Sequence, residues 1–306
     1  MKLKTFDELI DRVKNSGRKF RVAVANAGDA HTLEAVVTAS RAGIVSPVLV
    51  GDEAAIRAGL AALNVTVPDT DIVSASDAAD AAEKAVALVR AGKADFLMKG
   101  KLDTAVLLKA VVNKEHGLGT GKLMSIFLLA QIPGYHKLIS VVDGGMVTYP
   151  TLEQKKGIIE NTVWALRALG VECPKVGVLA AIEKVNPKMP ETVEAAELKR
   201  MNQTGEIEHC VVEGPVSYDC AMSREISALK GFDSPVSGDC DALIAPNIHA
   251  ANILTKALHL TAHAATAGFI VGAGCPIVMS SRGSEPEEKF MSIVLAAAVV
   301  LGNEEK

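Results

Sequence analysis

"RVAVANAGDAHTLEAVVTASRAG", residues 21–43, is the stretch on which the reading of the fold turns. "RVAVANA" (21–27) reads as a strand, and "DAHTLEAVVTASRAG" (29–43) as a helix with Asp29 as its N-cap and Gly43 as its stop. The pattern then recurs. "PVLVGD" (47–52) leads into "DEAAIRAGLAAL" (52–63), "DIVSA" into "SDAADAAEKAVALVRAG" (76–92), and "ADFLMKG" (94–100) into "TAVLLKAVVNKEHG" (104–117). Nearly continuous hydrophobic strands alternating with longer amphipathic segments require parallel sheets covered by helices on both faces. The fold class is α/β.

The middle of the chain extends the alternation. "LMSIFLLA" and "KLISVVDG" read as adjacent strands, 151–170 as a long helix, and "KVGVLAAI" (175–182) as a return to the sheet. "PETVEAAELKRMNQTG" is helical, "HCVVEGP" (209–215) and "DALIAPN" (241–247) are strands, and "HAANILTKALHLTAHA" is a helix. "GFIVGAGCPIVMSS" and the helix "PEEKFMSIVLAAAVVLG" close the chain. At 306 residues and 49% hydrophobic, it is long enough for two domains of about 150 residues. No flexible linker separates them, so the expected ligand site is a cleft between domains.

Composition narrows the partners. A net charge of −4 makes no electrostatic case for nucleic acid or an anionic membrane surface. Five scattered cysteines without a CxxC pair fit a reducing cytoplasm better than a disulfide framework or a zinc site. The charged, amphipathic N-terminus has no secretory h-region. The longest uncharged stretch, from Ala264 up to Arg282, is too short and too broken by Gly, Ser and Pro276 to span a bilayer comfortably. A soluble, cytoplasmic protein is expected.

Five distinctive loops follow predicted strands: "MKGKLDT", "VDGGM", "VEGPVSYD", "APNIHAANI" and "MSSRGS". In open parallel sheets, ligands bind outside the carboxyl ends of strands, where helix N-termini present their amides. In "SSRG" (280–283), Arg282 offers a rigid fork to phosphate and Ser281 a hydroxyl to an oxyanion; equally, Ser281 or Ser284 is a helix cap and Arg282 a solvated charge. Glu285 and Glu287 suit the helix dipole, whereas Glu288 is open to either a dipole or a cleft role. Lys99, Lys101 and Lys109 are candidates to steady phosphate, with a solvated face as the plainer alternative. Asp219 is a candidate for a ligand hydroxyl, or a turn residue before a helix. Asn247 and Asn252 are candidates beside a helix start, where Asn normally caps. His249 lacks a partner at metal-ligand spacing, and His259 and His263 lack the HExxH glutamate, so no metal is expected. GxGxxG after the first strand, GxxxxGK[ST] and GxSxG are all absent.

Taken in chain order, "DGGMVTYPTLEQKKGII", the block at 213–258 and "SSRGSEPEEKFMSIVLA" resemble the phosphate acetyl/butyryltransferase family. Within that block the pattern reads G-P-x-x-x-D-x-A, S-P-V-x-G-x-x-D and P-N-I-x-A-x-N-I. The opening "FDELIDRVKNSG", "LMKGKLDTAVLLKAV" and "VMSSR" look more like its butyryl branch than its acetyl one. The resemblance implies two α/β/α domains like those of isocitrate and isopropylmalate dehydrogenases. Residues 1–121 with 272–306 would form one domain and 122–271 the other, with the active site in the interdomain cleft. It implies the reaction acyl-CoA plus phosphate giving acyl phosphate plus CoA, with a short acyl group, butyryl favoured. The alternatives are phosphate acetyltransfer and a non-catalytic CoA-ester-binding regulatory module. Coenzyme A and phosphate would be substrates, no cofactor would be permanently bound, and a homodimer or higher homo-oligomer is expected. Ser281, Arg282 and Glu288 fall on the family's catalytic serine, arginine and acid, and Lys109 on a family arginine. Acetyl-type members carry Asp at the position of Glu288.

Overall fold

Three aspartates placed just after strands set the pattern of the first third of the chain. In the computed structural model, which describes residues 3–279 and 285–305, α1 (Phe6–Asn15) precedes β1 (Phe20–Ala25) and α2 (Ala30–Arg41). β2 (Val45–Gly51), α3 (Glu53–Ala62), β3 (Ile72–Ser74), α4 (Ala78–Arg90), β4 (Phe96–Lys99) and α5 (Thr104–Val111) follow. The carboxylate of Asp29 accepts from the Thr32 amide at 3.0 Å, Asp52 from Ala55 at 3.0 Å, and Asp77 from Ala79 at 2.8 Å. Each satisfies an amide that a helix start leaves unpaired. Gly43 sits at φ +79°, the left-handed conformation that glycine adopts without strain and that ends a helix cleanly.

The next segment comprises β5 (Ser125–Gln131), β6 (Ile139–Val142), α6 (Leu152–Ala168), β7 (Lys175–Leu179), α7 (Pro190–Gln203) and β8 (Val211–Val216). The short helices α8 (Tyr218–Met222) and α9 (Arg224–Leu229), then β9 (Ala242–Ile244) and α10 (Ile248–Thr261), complete it. Thr151 and Gln154 form a reciprocal capping box at the start of α6. β10 (Ala265–Val271), β11 (Ile277–Val278) and α11 (Pro286–Glu304) close the chain.

These elements divide into two compact units. A terminal unit holds Asp7–Lys122 with Ala267–Lys306, and a central unit holds Leu123–Thr266 with Met1–Phe6. In the terminal unit the strand order is β3-β2-β1-β4-β11-β10, parallel except for β10 against β11. In the central unit it is β5-β6-β9-β7-β8, parallel except for β5 against β6. Phe20, Phe96, Leu33, Ile56 and Leu107 pack the terminal core; Ile139, Val216, Val236 and Leu243 belong to a central one. Among the described residues no helix is long and apolar enough to cross a membrane.

The helix expected over 104–117 ends early, at Val111. The Asn113 side chain accepts from the amides of Glu115 and His116, both at 2.9 Å, and the Leu118 amide turns back to the Val111 carbonyl at 2.8 Å. Asparagine so placed offers the backbone a turn in competition with the helix.

Candidate functional site

The strand order of the terminal unit contains a switch point. From β1 the chain winds outward through β2 and β3, then returns to lay β4 on the opposite side of β1. The loops leaving the carboxyl ends of β1 and β4 therefore run in opposite directions and leave a crevice between them, the usual ligand position in an open α/β sheet. A cavity of ≈ 920 Å³ lies there, lined by 28–32, Ala78, 99–103, Val106 and Lys289.

The "KGK" turn is held against the loop after β1 by main-chain contacts. The Gly100 amide donates to the Ala25 carbonyl at 2.8 Å and the Lys101 amide to the Asn26 carbonyl at 3.0 Å, while the Asn26 side chain donates to the Lys101 carbonyl. A Cβ at position 100 would run into the carbonyl oxygens of Ala25 and Asn26, so only glycine permits this approach. Lys99 is buried and donates to the Leu102 carbonyl at 3.0 Å, which stiffens the turn; Lys101 is exposed. The structure thus brings Lys99 and Lys101 to one crevice. Lys109 is exposed on α5 and does not line it. Its candidacy rests on the three lysines that follow a strand and on the family resemblance.

α11 packs on α2 in the same unit and carries Glu288 in its first turn. Glu288 is half-buried, and its carbonyl accepts from the Ser292 hydroxyl at 2.9 Å, which in turn accepts from the Gly268 amide at 3.1 Å. The residue from this turn that lines the crevice is its neighbour Lys289. Ser281 and Arg282 lie outside the described residues.

Of the remaining sequence candidates, all in the central unit, Asn247 caps α10 by accepting from the Ala250 amide at 3.1 Å. Asn252 is exposed and donates to the Gly144 carbonyl at 3.0 Å, tying α10 to the "DGGM" loop. Buried Asp143 organises that loop by accepting the amides of Ile126, Gly145 and Met146 at 2.8–3.0 Å. Burial pushes its carboxyl up, and the amides pull it back.

Asp219 belongs to a tighter cluster at the ends of β7 and β8. The Ser217 hydroxyl contacts both Glu183 and Asp219, and the Lys230 ammonium reaches Glu183 at 3.1 Å and Asp219 at 2.9 Å. The Ser217 hydrogen bond and then Lys230 hold the Asp219 carboxyl down at about 2. The same two partners lower Glu183. Ligand atoms of Glu183, Asp219 and Cys220 lie within 4.8 Å of one another, a spacing that suits a metal, but Lys230 already supplies the positive charge. Ser217 lies in the "VEGPVSYD" loop, but neither Glu183 nor Lys230 stands in a short motif that would pair it with that loop. Their meeting depends on β7 and β8 being neighbours.

Known proteins match this chain over most of its length. A family model described as "Phosphate acetyl/butaryl transferase" covers residues 69–297. A phosphate butyryltransferase of Clostridium acetobutylicum is 42% identical, spanning 98% of this chain and 99% of that protein. A phosphate acetyltransferase of Thermotoga maritima is 43% identical, spanning 95% and 98% respectively. The crystal structure of a branched-chain phosphotransacylase from Enterococcus faecalis V583 superposes with a TM-score of 0.80 at 32% identity, over 92% of this chain and 99% of that one. Fold and sequence agree over nearly the full length, and the chain belongs to the phosphate acetyl/butyryl transferase family.

Proposed function

We propose that the protein is a phosphate acyltransferase, converting acyl-CoA and phosphate reversibly to acyl phosphate and CoA. The observation that carries the reading is the crevice at the β1/β4 switch point, where Lys99, Lys101 and Lys289 meet the start of α2 in a chain of this family. Both substrates are polyanions or anions, and a net charge of −4 means that they must be held by such local arrangements. A butyryl or similar short acyl group is preferred in this reading. That preference rests on the sequence blocks shared with the butyryl branch, since relatives named for either acyl group are about equally similar, at 42% and 43%.

In the direction of acyl-CoA synthesis, a thiol with an ordinary pKa of about 8.5 must lose its proton before it attacks acyl phosphate. Glu288 is assigned that proton. Ser281 donates to the tetrahedral oxyanion, a contact of a kind worth about 3–4 kcal/mol, and Arg282 clamps phosphate with two parallel donors. No covalent enzyme intermediate is required, because a ternary complex already holds thiolate and acyl phosphate together. Asp219, Asn247 and Asn252 are assigned to substrate in the same reading, although Asn247 is also a helix cap. We further infer that the terminal and central units are the two domains of an isocitrate/isopropylmalate dehydrogenase-like fold, in a cytoplasmic homo-oligomer. The separate clustering of the two units, each with a run of mostly parallel strands, supports that division.

Thiol release followed with phosphate and acetyl-, propionyl-, butyryl- or valeryl-CoA tests the reading. Phosphate-dependent release with none of the four esters overturns it, and a faster rate with acetyl-CoA overturns the butyryl preference. Glu288→Gln is expected to lower kcat by about tenfold or more with little change in KM, the range of a lost general base. Normal turnover would remove Glu288 from that role.

A further inference from the structure

Lys289 lines the crevice, and no step of the mechanism above is assigned to it. It lies in the first turns of α11, whose other buried residues are apolar or small apart from Ser292. The residue is only 7% exposed, lines the crevice, and among the described residues has no side-chain hydrogen bond or ion pair. A buried ammonium without a counter-ion is costly, so its retention calls for an anion from outside the chain.

The surroundings specify what kind of anion. The first turn of α2 forms one wall; Asp29 takes the Thr32 amide, and the Ala30 and His31 amides stand at the positive end of a 12-residue helix. Lys101 and Lys99 form the opposite wall. Asp29 and Asp103 also line the cavity, so its lining carries three lysines against two aspartates, one of which caps α2 through a single oxygen. Lysines converging on a helix N-terminus make a phosphate site, and lysine serves there as a point charge. Within about 920 Å³ there is room for more than one phosphoryl group.

We propose that Lys289, with the start of α2 and Lys101, binds a phosphoryl group of the substrate. The identity of that substrate rests on the acyltransferase reading; the anion site does not. Two sources carry the chemistry, inorganic phosphate (or the phosphoryl end of acyl phosphate) and the phosphoryl groups of coenzyme A.

Kinetics of Lys289→Met and Lys289→Arg separate them. In the Met variant, KM for one phosphoryl-bearing substrate is expected to rise about tenfold with kcat within about threefold, the signature of lost binding shared by ground and transition states. Lys289→Arg should recover most of the loss, because it restores the charge. A rise in KM for phosphate alone assigns inorganic phosphate. A rise for acyl-CoA alone, with kcat/KM unchanged on the phosphate-free acyl-pantetheine, assigns a phosphoryl group of coenzyme A. Both KM values within twofold of wild type overturn the proposal, whatever happens to stability. If the wild-type protein turns over no ester, the acyltransferase reading fails by itself. Calorimetric titration with inorganic phosphate and with coenzyme A then decides on Lys289: a tenfold weaker affinity in Lys289→Met for either upholds the site, and equal affinities for both overturn it.

Discussion

Two buried lysines, one in each unit, show how the same side chain can serve opposite ends. Lys137 in the central unit is 4% exposed and fully engaged: its ammonium donates to Asp241 at 2.7 Å and to the Asp239 carbonyl at 2.9 Å. Lys175 and His136 join Asp239 in the same network, at 2.7 and 2.9 Å. Burial alone would push the Asp239 carboxyl up, but Lys175, His136 and Lys137 together hold it well below the usual carboxylate range. Lys289 in the terminal unit is nearly as enclosed, at 7% exposed, yet has no such company among the described residues. A satisfied buried charge is architecture, whereas an unsatisfied one facing a crevice is a binding site waiting for its ion.

Replacing each by methionine separates the two roles, and it carries the largest expected effect. Lys137→Met leaves buried Asp241 without its cation and takes one of three basic partners from Asp239, and removal of one partner from a buried pair costs about 3 kcal/mol or more. Urea unfolding should show that loss. Lys289→Met in the unliganded protein should leave the midpoint unchanged or raised, because it removes an uncompensated charge and keeps the volume. Equal destabilisation by the two substitutions would mean that Lys289 is also a structural residue.

Next in size is Gly100→Ala. A Cβ there meets the carbonyl oxygens of Ala25 and Asn26, backbone atoms that cannot swing aside, so the "KGK" turn must shift. Overpacking of this kind costs about 1–3 kcal/mol. The crevice shares its wall with that turn, so KM for the phosphoryl substrate should rise along with the loss in stability. A stable variant with unaltered KM would show that the turn merely passes the crevice.

The comparison also explains what was legible in the sequence. Asp29, Gly43 and the strand at 21–27 are readable because caps and strand runs are local, and the structure bears out Asp29 as a cap at 3.0 Å. So were Lys99 and Lys101, because a lysine-glycine-lysine turn after a strand is a local pattern too. The early end of α5 was not, since it depends on Asn113 outcompeting helical hydrogen bonds that the Val111-Val112 pair does little to defend. Lys289 is not legible in the same way, because in "SSRGSEPEEKFMSIVLA" it follows three glutamates and reads as one more solvated charge. A charged residue opening the run "KFMSIVLAAAVVLG" was the available signal, since a helix apolar all round is a buried one. The cluster of Glu183, Ser217, Asp219 and Lys230 needs the neighbouring of β7 and β8, and no stretch of sequence states which strands are neighbours.

That cluster provides the smallest predicted effect and the cleanest sign. Asp219 sits at about 2 in the folded protein because the Ser217 hydroxyl and the Lys230 ammonium favour its charged form. A carboxyl depressed on folding contributes stability that is complete above its unfolded value, near 3.8, and disappears as pH falls through its folded value. The gap in urea midpoint between wild type and Asp219→Asn should therefore be constant from pH 7 to about 5 and close progressively from about 4 to 2. Asp219 is 42% exposed and Lys230 40%, so solvent screens the pair, and the gap at neutral pH should be below about 1 kcal/mol. A gap that persists undiminished at pH 2 would place the stabilisation in the hydrogen-bond geometry around Ser217, which an asparagine disturbs at any pH. In that case the central cluster would owe little to its charges, and the contrast with Lys137, whose network depends on them, would hold within the central unit as well as between the two.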